Sequence, residues 1–332
     1  MVITRTPFRI SFFGGGTDYP AWYKKHGGSV ISTTINKYCY LSCRFLPPFF
    51  KHKYRVVYSV QELVNEIREI DHPSVRATLN FFNTDHGIEV HHQADLPAKS
   101  GLGSSSSFTV GLVNALGGLH GEIRTKRQLA LDAIHIEQNL IKENVGSQDQ
   151  TAAAFGGLNR IDFGGREEIT VNPIPISQKR LEEFQDHLML FFTDFSRNAS
   201  TIAKDWIKNT PQNTNELATI SEMVNKSIAI LTSKNNLDEF GKLLHQAWQI
   251  KRRLAYSITN THIDEIYKAG IKAGAIGGKL LGAGGGGFML FYADPEAQEK
   301  IKNKLKKYLH VPFRFEQLGS QIIYYSPPPI SF

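Results

Sequence analysis

The chain has 332 residues, 41% of them hydrophobic, and 38 Lys and Arg against 31 Asp and Glu give it a formal charge of +7. That is enough to bury a full core and suits two domains better than one, while no run of ~18 apolar residues marks a membrane span and no signal-peptide core opens the chain, so a cytoplasmic protein is expected. The charge favours anionic partners, small phosphorylated ligands included, but Lys and Arg are spread along the chain instead of clustering with aromatics, which excludes a nucleic-acid binder.

In chain order, the first informative stretch is "TPFRISFFGGGTDYP", a strand-like run carrying Arg9 that leads into Gly14, Gly15, Gly16, Thr17 and Asp18. Thr17 and Asp18 set a hydroxyl and an acceptor beside exposed backbone, which is equipment for sugar hydroxyls and equally for an Asx-turn. Strand-like "KYCYLSCRF" and "RVVYSV" then alternate with helical patterns, the mark of a mixed α and β chain. Cys39 and Cys43, four apart on one strand, are poorly placed for a disulfide, in keeping with a reducing compartment.

At "SGLGSSSSFTVGL", Ser100 to Leu112, two glycines and a serine run precede a helical stripe of Phe108, Leu112, Ala115 and Leu119 that stops at "GGLHG". Unpaired N–H groups at a helix start favour an anion, Gly101 and Gly103 let it approach, and the hydroxyls add donors, so the stretch reads as a phosphate cradle. It is not a Walker loop, since no "GKS" or "GKT" follows. A second helix opens at the capping pair Thr125 and Gln128, carries Leu129, Ala133, Ile136 and Leu140, and ends by Gly146. Glu137 falls on its stripe Ala130, Ile134, Glu137, Ile141, where a buried carboxylate needs either a Lys or Arg or a divalent cation. Asp149, in the following "GSQDQ", is free to act as a base or to cap a turn.

From about residue 187 the pattern changes to a buried strand, "HLMLFFTDF", and long helices to about residue 274, so the boundary is placed near 180–186, with domains at 1–184 and 185–332. Arg197, after that strand and before a helix, could meet an anion alongside unsatisfied helix N–H groups, whereas Lys251 and Arg252 in "WQIKRRL" read more readily as a solvated helix face. "GAGGGG", Gly282 to Gly287, formally fits G-x-G-x-x-G, but a helical stretch precedes it and strand-like "FMLFYA" follows, which excludes a dinucleotide fingerprint and leaves close backbone packing or a flexible turn. A helix capped by Asp294 and Pro295, whose "KIKNKLKK" buries Ile301 and Leu305, and strands near 312–318 and 321–326 complete the chain.

Taken together and in order, "TPFRISFFGGGTDYP", "PAKSGLGSSSS" and "KLLGAGGGGF" resemble the three motifs of the galactokinase, homoserine kinase, mevalonate kinase and phosphomevalonate kinase (GHMP) family, over nearly the whole length. The resemblance implies an α+β fold, with an N-terminal α/β domain of left-handed crossover and a C-terminal ferredoxin-like domain. It implies ATP held by Lys99, Ser100, Gly101, Leu102, Gly103, Ser104, Ser105 and Ser106, and Mg²⁺ on Ser105 and Glu137. Asp149 would be the base, Arg9 would help orient or activate the acceptor hydroxyl, and Gly15, Gly16, Thr17, Asp18, Gly284, Gly285 and Arg197 would face the acceptor. Where galactokinases carry "GEHTDY" this chain has "GGGTDY", which argues against galactose. The first motif is most similar to the family's D-glycero-D-manno-heptose 7-phosphate kinases, implying phosphorylation of the anomeric hydroxyl to the 1,7-bisphosphate, for nucleotide-activated heptose and surface polysaccharide. The alternatives are an anomeric kinase of fucose or a hexose, and a catalytically silent sugar sensor, which Glu137 and Asp149 disfavour. A homodimer is compatible with the sequence without being required by it.

Overall fold

The computed structural model describes residues 1–164, 169–194 and 213–326. Its first sheet grows from two long strands, β1 (Val2–Phe13) and β2 (Gly28–Phe45), antiparallel from Val2↔Cys43 to Phe13↔Ile31. β1 is buried at every position from Thr6 to Phe13, so its sequence shows no polar alternation. Pro7 cannot donate to the ladder, and the register shifts between Pro7 and Phe8. β3 (Tyr54–Val57), β4 (Gln61–Val64) and β5 (Ile88–Ala94) extend the sheet in the order β1-β2-β5-β3-β4, with β3 and β5 parallel. β6 (Asn159–Phe163) and β7 (Ile169–Pro173) continue from the other half of β2.

The helices of this half are α1 (Pro20–His26), α2 (Pro73–Phe81), α3 (Ser104–Leu119), α4 (Lys126–His135) and α5 (Gln148–Phe155). α3 is buried from Ser106 to Leu119 except at Asn114, and it lies close against β1. Gly111 makes that approach feasible, because a Cβ there would stand 2.8 Å from Thr6 Oγ1. Ser107 Oγ donates to the Pro7 carbonyl at 2.9 Å, pinning the start of α3 to the strand that carries Arg9.

A second, four-stranded antiparallel sheet joins β8 (Leu188–Phe192), β9 (Gly277–Leu280), β10 (Phe288–Tyr292) and β11 (Leu309–His310) in the order β11-β8-β10-β9. With α6 (Gln178–Asp186), α7 (Thr214–Thr232), α8 (Asp238–Lys251), α9 (Thr261–Lys272) and α10 (Gln298–Lys304), this 4-1-3-2 order is ferredoxin-like. "GAGGGG" is therefore preceded by strand β9, not by a helix as the sequence suggested, and forms the connection between two antiparallel strands. The last strands return to the first sheet: β12 (Phe315–Glu316) pairs with β2 and β13 (Gln321–Tyr325) with β1, making nine strands among the described residues. Both cysteines are buried and unpaired, and among the described residues no helix is long and apolar enough to cross a membrane.

Candidate active site

The three glycine-rich segments meet at one cleft of about 590 Å³. Gly103 precedes α3 in the left-handed conformation, with φ 76°, and no side chain among the described residues caps the helix, so its first N–H groups are open. Lys99, Gly101, Gly103, Ser104, Ser105 and Ser106 line the cleft. Leu102 is buried in the core, its carbonyl accepting the Arg9 backbone N–H at 3.0 Å, and Ser100 is buried too, so these two residues support the cradle from behind. The third glycine segment braces the same loop by backbone packing: a Cβ at Gly282 would lie 2.5 Å from Gly101 Cα, and one at Gly287 2.2 Å from the Ser100 carbonyl. Gly284 is packed against Ile258 and Gly285 N–H donates to the Ile258 carbonyl at 2.9 Å, so Gly282 and Ala283, not Gly284 and Gly285, face the cleft.

Beside the cradle, Arg9 makes a two-pronged contact with Asp149, Nε to Oδ1 at 2.8 Å and Nη2 to Oδ2 at 2.7 Å, while Nη1 donates to the Gly101 carbonyl at 2.7 Å. The Arg9 side chain is 5% exposed and that of Asp149 30%, so the guanidinium is a fixed wall and the carboxylate faces the opening. Each carboxylate oxygen keeps a lone pair for a further donor. Asp149 also sits in the first turn of α5, where negative charge is favoured.

Glu137 lies where α4 gives way to a π-helical turn, Ile136–Leu140, a device common at functional sites. Its Oε2 accepts from Ser106 Oγ at 2.9 Å and from Gln150 Nε2, while Oε1 is buried without a partner among the described residues. Burial pushes the carboxyl up to about 7. A buried carboxylate with one oxygen left unpaired, beside the Ser106 hydroxyl, suits a hard divalent cation, and Glu137 has neither Lys nor Arg as a partner among the described residues. The serine it touches is Ser106; Ser105 is exposed along the same cleft wall.

At the other side of Asp149, Gly15, Gly16, Asp18 and Tyr19 line the cleft. Asp18 accepts from the N–H of Gly16 at 2.8 Å and of Gln148 at 3.3 Å, and burial, with the nearby charge of Asp149, raises it to about 6. Gly146 is the seat of this contact, since a Cβ there would be 1.9 Å from Asp18 Oδ2. Thr17 is a brace, its hydroxyl donating to the carbonyls of Gly14 and Ser29 and accepting from Ser29 N–H. Two lysines of the ferredoxin-like half complete the wall. Lys279 Nζ donates to the carbonyls of Ser11 and Phe12, and Lys251 Nζ to that of Gly282. Burial lowers both, Lys251 to about 8. Arg252 instead pairs with Asp264, and Arg197 lies outside the described residues. Sequence reasoning missed Lys279, Tyr19 and the aromatic group of His72, His92 and Phe108 at the cradle's far end, where the two imidazoles pack on the phenyl ring at 4.6 and 5.1 Å.

Residues 65–157 match the GHMP kinases N terminal domain and residues 228–311 the GHMP kinases C terminal domain. The chain is 28% identical over 321 residues to a D-glycero-alpha-D-manno-heptose 7-phosphate kinase of Campylobacter jejuni, covering 92% of this chain and 93% of the relative. It is 26% identical to an L-fucokinase/L-fucose-1-P guanylyltransferase of Bacteroides fragilis, covering 91% of this chain and 35% of that one. Among solved structures, a D-glycero-D-manno-heptose 1-phosphate kinase from Bacteroides thetaiotaomicron superposes with a TM-score of 0.80 at 22% identity, over 98% of this chain and 100% of the other, a likeness of fold. Two matching family domains, in the order and places where the structure sets the cradle and the ferredoxin-like half, lead to one conclusion: the chain belongs to the GHMP kinase family and is an ATP-dependent kinase.

Proposed function

We propose that the protein transfers the terminal phosphoryl group of ATP to the anomeric hydroxyl of a sugar phosphate, D-glycero-D-manno-heptose 7-phosphate, giving the 1,7-bisphosphate for nucleotide-activated heptose and surface polysaccharide. The observation that carries the reading is the Arg9–Asp149 pair, a fixed carboxylate beside an open helix N-terminus. The Campylobacter jejuni relative supports the acceptor.

The residues divide the work. The main-chain N–H groups at the start of α3, Lys99 and the serine hydroxyls hold the nucleotide's phosphates, and the His72, Leu96 and Phe108 surfaces of the same cleft take its base. Glu137, with Ser105 or Ser106, would hold Mg²⁺, which when bound neutralises phosphate charge. Asp18 and the glycine turn hold acceptor hydroxyls. Asp149 accepts the anomeric proton, a modest task because an anomeric hydroxyl is more acidic than an ordinary alcohol, and Arg9 keeps the carboxylate aimed. Because catalysis of phosphoryl transfer is mainly positioning and charge stabilisation, this division suffices. The similarity to the fucokinase favours a neutral-sugar kinase as the second reading. Steady-state kinetics with heptose 7-phosphate, heptose, fucose and galactose separates the two: the first should be used with far higher kcat/KM, and equal or better use of a neutral sugar would overturn the assignment.

A further inference from the structure

Lys251 closes α8 and lines the cleft from the ferredoxin-like half, within electrostatic reach of Arg9, Asp18 and Asp149. Its Nζ donates to the Gly282 carbonyl at 2.5 Å and lies 3.5 Å from that of Leu280. An ammonium has three donors, and among the described residues no carboxylate pairs with this one. The two carboxylates on this side are already engaged, Asp149 by Arg9 and Asp18 by two backbone N–H groups. Lys279, tied to two β1 carbonyls, has no free reach. The charges that act on Lys251 are those of Arg9, Asp18 and Asp149, whereas Lys99, on the cradle, acts on Glu143. A buried cation with only carbonyl partners is costly to keep, and an anionic ligand on the acceptor side relieves it.

We infer that Lys251 is the subsite for the phosphate monoester the acceptor already carries, so that a dianion on the acceptor, not a hydroxyl, selects the substrate. This rests on the sugar-phosphate reading above. The test is steady-state kinetics with D-glycero-D-manno-heptose 7-phosphate and with D-glycero-D-manno-heptose, for wild type, Lys251→Met, Lys251→Arg and Arg252→Ala. Losing one charge-assisted hydrogen bond should lower the ratio of kcat/KM for the phosphorylated over the free sugar by roughly ten- to a hundredfold in Lys251→Met, mainly through KM. Lys251→Arg should recover part of the ratio, and Arg252→Ala should leave it unchanged. If Lys251→Met fails to fold, Lys251→Gln, which keeps a donor for Gly282, is read by the same ratio. A ratio unchanged by loss of the charge overturns the inference, as does an equal fall in kcat with both sugars, which would place Lys251 on the transferring phosphoryl group. Should wild type show no preference for the phosphorylated sugar, the sugar-phosphate reading itself falls; a wild-type preference that survives in Lys251→Met removes only Lys251.

Discussion

Replacing Asp149 by asparagine removes one charge and little volume. The carboxylate accepts two hydrogen bonds from Arg9, at 2.8 and 2.7 Å. An amide keeps one acceptor and turns its NH₂ toward the other guanidinium N–H, donor against donor. Because the Arg9 side chain is only 5% exposed, water does not replace the lost partner, and the cost to stability is about 1.5–3 kcal/mol, the range for a hydrogen bond to a charged group. The chemical cost is larger: losing a positioned proton acceptor lowers turnover by roughly 10² to 10⁴, or about 3–5 kcal/mol of barrier. The cradle's main-chain donors are untouched, so titration calorimetry should find ATP affinity close to wild type while kcat collapses. Thermal melting establishes that the variant is folded under the assay conditions. A folded Asp149→Asn protein with wild-type kcat would refute the role of Asp149.

Two other substitutions probe the remaining groups. Burial raises Glu137 from 4.5 to about 7, so the folded chain holds this proton more tightly than the unfolded one; the resulting penalty is absent at low pH, grows as pH rises through that interval and persists above it. In EDTA, Glu137→Gln should therefore be more stable than wild type by about 3 kcal/mol at pH 8 and no more stable near pH 4, read by denaturant unfolding, yet should be impaired with magnesium and ATP; a pH-independent difference would contradict the burial argument. Gly146→Ala would set a Cβ 1.9 Å from Asp18 Oδ2, so Asp18 must move. Acceptor KM should rise at least about tenfold with a stability loss of about 1–3 kcal/mol, and an unchanged KM would remove Asp18 from acceptor binding.

Much of this was legible because local chemistry and global fold agree. The serine run is the open N-terminus of α3, Thr125 forms the capping box with Gln128, Asp294 accepts the N–H of Glu296, and Ile301 and Leu305 are buried as their spacing requires. Other features depend on partners far away in sequence. β13 pairs with β1 across more than 300 residues, and its Ile322, Ile323, Tyr324 and Tyr325 are all substantially exposed, so no alternation reveals its place in the first sheet. The π-turn at Glu137 adds one residue to a turn without any change in composition that would disclose it. Lys251 shows the same limit: it reads as a solvated lysine until the packing of α8 against β9 brings it to the Gly282 carbonyl. The density of glycines at 282–287 left close backbone packing and a flexible turn both open, and the structure decides for close packing, with the phosphate cradle as the neighbour.

The most direct measurement of the central claim is the chemical identity of the product. Wild-type protein incubated with ATP, magnesium and D-glycero-D-manno-heptose 7-phosphate should yield, by phosphorus NMR, ADP and a second sugar phosphate resonance coupled to the anomeric proton, and the Asp149→Asn protein should yield almost none. A phosphate attached elsewhere on the sugar, or ADP and inorganic phosphate without a bisphosphate, would contradict a site built to activate the anomeric hydroxyl of a sugar phosphate.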